Sequence, residues 1–243
     1  MIDATFVIIV VGSFVASVFN AAFSAGGAMI ILAITSTVLP VQAIVPIHST
    51  LFIGSTSTRI VFFWDFVNWK LVRSFLAGSV VGAFLGARIY IELPEAIIAT
   101  AISIVMLVAI WLPKVSWRPR LRHPWVIVGF IHSLFSTLFA YGALLHAVIL
   151  HTDLDRRQIV GTLGGCLAGM SVFKIAGYAF YGFDYSPYYV VIAAAIAVSL
   201  LGTAVGKLIV DRLSEAVFRM IYRVLITVTA LRLLYIGLLE GRL

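Results

Sequence analysis

The sequence predicts an all-α polytopic membrane protein of two repeats with about four apolar segments each, inverted relative to one another, with discontinuous or re-entrant first and fifth segments. Three observations predict it. Hydrophobic residues make up 62% of the chain and charged ones 11%, with a mean hydropathy of +1.12, whereas a soluble domain carries roughly 25% charged residues. The apolar residues form long runs without period-two alternation, which selects helices over a barrel, because a helix pairs its backbone groups within its own segment. The two halves of the chain also align with one another, block by block and in order.

The apolar segments are Ala4 to Leu39, Ala43 to Phe63, Leu71 to Ile91, Ala96 to Leu112, Trp125 to Leu150, Ile159 to Phe180, Tyr188 to Val210 and Val217 to Leu238. The first is too long for one span and too short for two, since ~20 residues cross a bilayer. Two adjacent glycines, Gly26 and Gly27, interrupt it within NAAFSAGGAMIILAITSTVLP, from Asn20 to Pro40. Met1 to Thr5 carries Asp3 and no basic residue, so no cleavable signal is expected and the first segment stays. Between the fourth and fifth segments lies the polar connector PKVSWRPRLRHP, with Lys114, Arg118, Arg120 and Arg122. It separates a first repeat (1–112) from a second (125–243), with 113–124 as a basic cytoplasmic connector.

The alignment of the halves rests on named blocks. SVFNAAFSAGGA from Ser17 matches SLFSTLFAYGAL from Ser133, and AIVPIHSTLFIGSTSTRI from Ala43 matches QIVGTLGGCLAGMSVFKI from Gln158. GAFLGARI from Gly82 matches GTAVGKLI from Gly202, and LPEAI from Leu93 matches LSEAV from Leu213. The offsets of 116, 115 and 120 residues bring Gly26 onto Gly142, Arg59 onto Lys174, Gly86 onto Gly206 and Glu95 onto Glu215.

Orientation depends on the first and fifth segments. If each crosses once, Arg156, Arg157 and Arg212 fall on the face opposite the connector. If each dips in and returns, each half has an odd number of crossings, and the repeats are inverted. Lys70, Arg73, the connector, Arg156, Arg157, Lys207 and Arg212 then share the cytoplasmic face, and Arg88 and Arg242 lie outside. The positive-inside bias favours this second arrangement, with both termini outward. The net charge of +7 is therefore a topology signal; without an aromatic-interleaved basic patch, no nucleic-acid partner is expected.

A glycine break at matching places in two inverted halves points to a transporter binding site. Where a helix restarts inside the membrane, its first N–H groups and its dipole favour an anion, and glycine lets a ligand approach the backbone. Gly26, Gly27, Ser24 and Asn20 on one side, with Gly142 and Ser136 on the other, are the candidates. The glycines also fit plain close helix packing. Arg59 and Lys174 stand at one repeat position inside apolar segments, while the ten acidic residues lie at segment edges or in connectors. A buried cation without a carboxylate suits an anionic substrate; snorkelling to an interface is the bland alternative. Ser49, Thr50 and Thr162 would offer hydrogen bonds to the substrate, though hydroxyls in such helices more often serve local carbonyls.

His48, His132 and His146 lie in apolar segments and are candidates for proton coupling, weighed against service as packing residues. No pair has metal-ligand spacing, the single Cys166 reads as a packing residue, and neither a metal nor an organic cofactor is expected. The chain has no GxxxxGK[ST], GxGxxG or GxSxG motif, so an ATP-driven pump or a hydrolase lacks support and the protein is not read as an enzyme.

With AGGAMIILAITSTVLP, the Ser/Thr-rich second segment, GSVVGAFLGARI with LPEAI, and the counterparts IVGTLGGCLAGMSVFKIAGY, LLGTAVGKLI and LSEAV, the chain resembles the TauE/SafE family. These are sulfite and organosulfonate exporters, also described as the toluene sulfonate uptake permease group. Members typically show about three consecutive glycines at the first break; here Ala25 and Ala28 flank two, and the second half has Gly142 alone. The resemblance implies a small organosulfur or sulfur-oxyanion substrate, a multi-pass protein of the bacterial inner membrane, and alternating access between two repeats. A coupling proton or sodium ion and a homodimer are the further partners considered. Rival readings are a passive anion channel, a transporter of another small anion such as a carboxylate, and an intramembrane enzyme or assembly factor.

Overall fold

The computed structural model describes residues 4–23, 27–111, 124–140, 143–149, 151–209 and 215–240. Among these, ten α-helices and two single 3-10 turns account for the regular structure, and no strand occurs. In order they are α1 (Ala4–Phe23), α2 (Gly27–Val38), α3 (Val41–Phe62), α4 (Trp69–Glu92), α5 (Glu95–Trp111), α6 (Pro124–Phe139), α7 (Ala143–Ile149), α8 (Arg156–Phe180), α9 (Tyr189–Ile209) and α10 (Glu215–Glu240). The 3-10 turns Trp64–Phe66 and Ser186–Tyr188 join α3 to α4 and α8 to α9. Within the described residues four stretches are long and apolar enough to cross a membrane: Ala4–Ala21, Trp69–Glu92, Arg157–Phe180 and Ser186–Gly206. Large apolar side chains such as Val81, Val190 and Leu201 lie exposed on these helices, which suits contact with lipid. The protein is an all-α polytopic membrane protein.

The first and fifth apolar segments are each split into two helices. The α1 and α2 pair forms an antiparallel hairpin: Gly12 of α1 faces Ile34 of α2, and Asn20 backs Gly27. Near the other break, the His132 ring of α6 meets the backbone of Leu145 in α7, so that α7 also folds back on α6. Ala140 makes the turn after α6 with a φ of 54°, the single non-glycine left-handed residue among those described. That conformation disfavours a Cβ by roughly 1–2 kcal/mol, so packing holds it there.

Helix starts follow local chemistry where it is visible. The Asp155 carboxylate accepts from the Arg157 and Gln158 amides at 2.8 and 2.9 Å, while the Gln158 side chain accepts from the Asp155 amide at 3.1 Å. This capping box satisfies otherwise orphan donors at the head of α8.

The chain divides into two compact units, Met1–Ser55 with Leu93–Leu112 and Asp184–Leu243, and Thr56–Glu92 with Pro113–Phe183. In the first unit α9 lies parallel to α1, with Gly202 over the Phe14 carbonyl and Gly206 over that of Val18. Gly54 of α3 sits against Ile196 and Ser199 of α9. There α5 and α10 run antiparallel, with Gly237 against Ala96 and Thr100 and the Trp111 indole donating to Thr227 Oγ1 at 3.1 Å.

In the second unit α4 lies parallel to α6. Gly78, Gly82 and Gly86 fit over Val126, Phe130 and Thr137, and Gly129 fits over the Phe75 carbonyl. The face of α8 carrying Gly165, Gly169 and Gly177 packs along α4, on Val72, Leu76 and Ala87. A Cβ at Gly78, Gly82 or Gly129 would push into backbone and one at Gly165 or Gly169 into the side chain of Val72 or Leu76, which is the small-residue logic of membrane helix pairs. Each unit thus combines segments from both halves of the sequence. A sequence repeat records which segments match, and compactness records which segments pack together; the two divisions differ because α1 pairs with α9 and α4 with α6, helices from opposite halves that do not match in the repeat. The basic connector, Pro124 excepted, lies outside the described residues.

Candidate functional site

At the first break, Ser24 and Gly26 lie outside the described residues. Gly27 opens α2 and is buried. A Cβ there would stand 2.5 Å from Asn20 Cβ and 2.9 Å from the Ala16 carbonyl. The close approach that this glycine permits is therefore taken up by α1, and Asn20 is buried beneath it. His48 of α3 is buried and its Nε2 donates to the Ala28 carbonyl at 2.9 Å, tying α3 to the first turn of α2. Its ring stacks on Phe52.

The hydroxyls of α3 are used locally. Ser49 Oγ donates to the Val45 carbonyl and Thr50 Oγ1 to that of Ile47, both at 2.7 Å. Buried serine and threonine hydroxyls commonly bond carbonyls one turn back in this way.

At the second break, Gly142 lies outside the described residues, and Ala140 makes the turn. Because α6 stops at Phe139, the carbonyls of its last turn have no amide of their own helix to accept from. Two side chains of α8 supply donors. Lys174 Nζ donates to the Ser136 carbonyl at 2.8 Å and to Ser136 Oγ at 3.2 Å. Tyr178, one turn on, donates its hydroxyl to the Thr137 carbonyl. A cation also complements the negative end of the helix dipole. Lys174 is 2% exposed and has no carboxylate partner among the described residues.

His132 stands one turn before Ser136 on the same face of α6 and is also buried. Its Nδ1 accepts from the Leu145 amide at 3.1 Å, which satisfies one of the first amides of α7. Nδ1 being an acceptor, the neutral ring carries its hydrogen on Nε2. Nε2 has no hydrogen-bond partner among the described residues, and neither has the buried hydroxyl of Ser133, the next residue of α6. His146 and Lys174 are the titratable neighbours of this ring.

Ser136, Lys174, His132 and His146 therefore form one cluster. Thr162 and Arg59 belong to the same compact unit but lie apart from it. Thr162 Oγ1 accepts from the Asn68 amide at 3.0 Å, bracing the turn into α4, and lies twelve residues before Lys174 on α8, or ~18 Å along the helix. Arg59, half-buried in the last turn of α3, packs against Gly164, ten residues or ~15 Å from Lys174. Asn20, Gly27, His48, Ser49 and Thr50 belong to the other unit.

Two residues were not singled out from sequence. Tyr178 follows Lys174 by four positions, the spacing of helical neighbours, and its aromatic character hid the polar use of its hydroxyl. Arg232 lies within the apolar stretch of α10 and donates to the Thr37 carbonyl at 2.9 Å, in the last turn of α2. It does for α2 what Lys174 does for α6. A charge inside an apolar segment was the available signal.

A family model described as Sulfite exporter TauE/SafE matches residues 8–233. Searches of curated proteins and of solved structures returned no match.

Proposed function

The chain belongs to the TauE/SafE sulfite exporter family, whose model spans nearly all of it, and from that premise we propose a secondary transporter that moves a small organosulfur or sulfur-oxyanion substrate. The family is one of membrane transporters of sulfite-type anions. The finer reading, for this chain, is alternating access between its two repeats in a bacterial inner membrane.

The observation that carries it is Lys174: a buried ammonium at the end of a broken helix, with no carboxylate partner among the described residues. Taking a full charge out of water is expensive, and such groups in membrane proteins mark substrate or ion pathways. Two of its three hydrogens go to Ser136, which leaves the charge short of a counterion that an oxyanion would provide.

Inverted repeats have their own support. With α1 and α2 forming a hairpin and α7 folding back on α6, each half contains five consecutive helices among the described residues, an odd number. Equivalent positions also do equivalent work. Gly54 meets Ile196 and Gly169 meets Leu76. Gly169 aligns with Gly54, and Leu76 and Ile196 each stand six residues before the aligned pair Gly82 and Gly202.

The test is accumulation in proteoliposomes of the purified protein, with sulfite, thiosulfate, sulfoacetate and taurine, and with carboxylates as controls. Uptake of a sulfur oxyanion against its gradient is expected. Equilibration without accumulation would mean a channel, and a response to carboxylates alone would sink the substrate class.

A further inference from the structure

Near the second break, buried side-chain donors stand without acceptors among the described residues. Lys174 has three N–H groups and spends two on Ser136. His132 has its Nδ1 lone pair committed to the Leu145 amide, which makes Nε2 a donor, and this buried nitrogen has no partner among the described residues. Ser133 brings a buried hydroxyl in the same state. His132, Ser133 and Ser136 lie at positions i, i+1 and i+4 of α6, and Lys174 reaches them from α8. Buried donors without acceptors are costly, each by the desolvation of its group, so such a set is expected to have an acceptor-rich ligand.

We infer that His132 Nε2–H, Ser133 Oγ–H and the third hydrogen of Lys174 together hold one oxyanion at the second break, with His132 acting as a fixed hydrogen-bond donor and not as a proton carrier. The inference rests on the transport reading and names the half of the molecule that takes the anion. Its chemistry is specific. The Leu145 amide can bond His132 only while Nδ1 is bare, so it locks the tautomer that presents Nε2–H. Protonating Nδ1 would forfeit that bond and leave two hydrogens facing each other. A small oxyanion, with acceptor oxygens in several directions and no donor when fully ionised, suits several buried donors that lack acceptors. The α8 pair Lys174 and Tyr178 meanwhile holds the end of α6 that carries the site.

The test uses full-length protein and sulfite as the probe, with sulfate and acetate for comparison, and measures both the dissociation constant and transport. His132→Asn keeps an acceptor near the Nδ1 position for Leu145 but removes the distal donor. Sulfite affinity is expected to fall about tenfold or more, the range of a lost hydrogen bond to a charged group, with thermal stability close to wild type. His132→Gln, which restores a donor near the Nε2 position, should bind more tightly than His132→Asn. Ser133→Ala serves if His132→Asn fails to fold, and a loss of several-fold is expected. Unchanged sulfite affinity in His132→Asn or Ser133→Ala, with wild type binding, overturns the inference and spares the transport reading. If the wild type binds none of the sulfur oxyanions, both fall.

Discussion

Lys174 Nζ lies 2.8 Å from the carbonyl oxygen of Ser136, so the buried cation of α8 is spent first on the loose end of α6. That bond joins residues 38 apart in sequence and makes one side chain answerable for both helix geometry and charge. Replacing Lys174 by Gln should abolish anion accumulation while the protein still inserts and purifies. Lys174→Arg should retain part of it, since the charge stays but the guanidinium cannot reproduce the ammonium's bonds to Ser136. Uptake measured beside thermal stability checks this; full accumulation by Lys174→Gln would remove Lys174 from the site.

Tyr178→Phe separates geometry from charge. The Thr137 carbonyl loses its donor, and a net loss of about 1 kcal/mol in stability is expected. Because the phenol is not one of the proposed anion donors, the transport KM should shift less than in Lys174→Gln. Thermal melts and initial rates together give the comparison.

Arg59 aligns with Lys174 in the sequence repeat, yet the two have different surroundings. The arginine is half-buried at a helix end, ~15 Å along α8 from the lysine. Arg59→Gln should weaken anion transport with expression intact, and by less than Lys174→Gln does. Equal losses in the two variants would show that the repeat position, and not burial, sets the role.

Gly27→Ala tests the first break. A methyl there would enter the space of Asn20 and the Ala16 carbonyl, and overpacking of this kind typically costs 1–3 kcal/mol. The expected result is a lower melting temperature whether or not substrate is present. If stability is unchanged and only affinity falls, Gly27 contacts the anion.

Ala140→Gly should raise stability by up to roughly 1 kcal/mol, because glycine adopts the positive φ of this turn without a Cβ penalty. Ala140→Val should do the reverse. Melting temperatures of the two variants on either side of wild type would confirm that Ala140 carries strain in this turn.

Much of the fold was legible because membrane insertion leaves a coarse mark. A helix in lipid needs a long apolar run, so segment limits fall within a few residues: the run read as Ile159 to Phe180 is α8, Arg156–Phe180, and that read as Leu71 to Ile91 is α4, Trp69–Glu92. The breaks in the first and fifth segments were legible from length and glycine. The site was less so. Thr162 read as a substrate hydroxyl and braces the Asn68 turn; Tyr178 and Arg232, which cap broken helices, did not stand out. Which carbonyl a donor meets depends on how helices distant in sequence are seated, and no local pattern encodes that.

By itself the sequence determined the solvent, the helices and their interruptions, since each follows from local composition: apolar runs must be helical in lipid, and a run of the wrong length must break. It also determined the family. Only the tertiary structure decided what the breaks are used for. Gly27 serves the return of α2 along α1, and the end of α6 is held by Lys174 and Tyr178. His132 is turned so that one nitrogen serves α7 and the other lacks a partner among the described residues. The physical reason is that burial makes every polar atom seek a partner, and the partners come from whichever helix packs nearest.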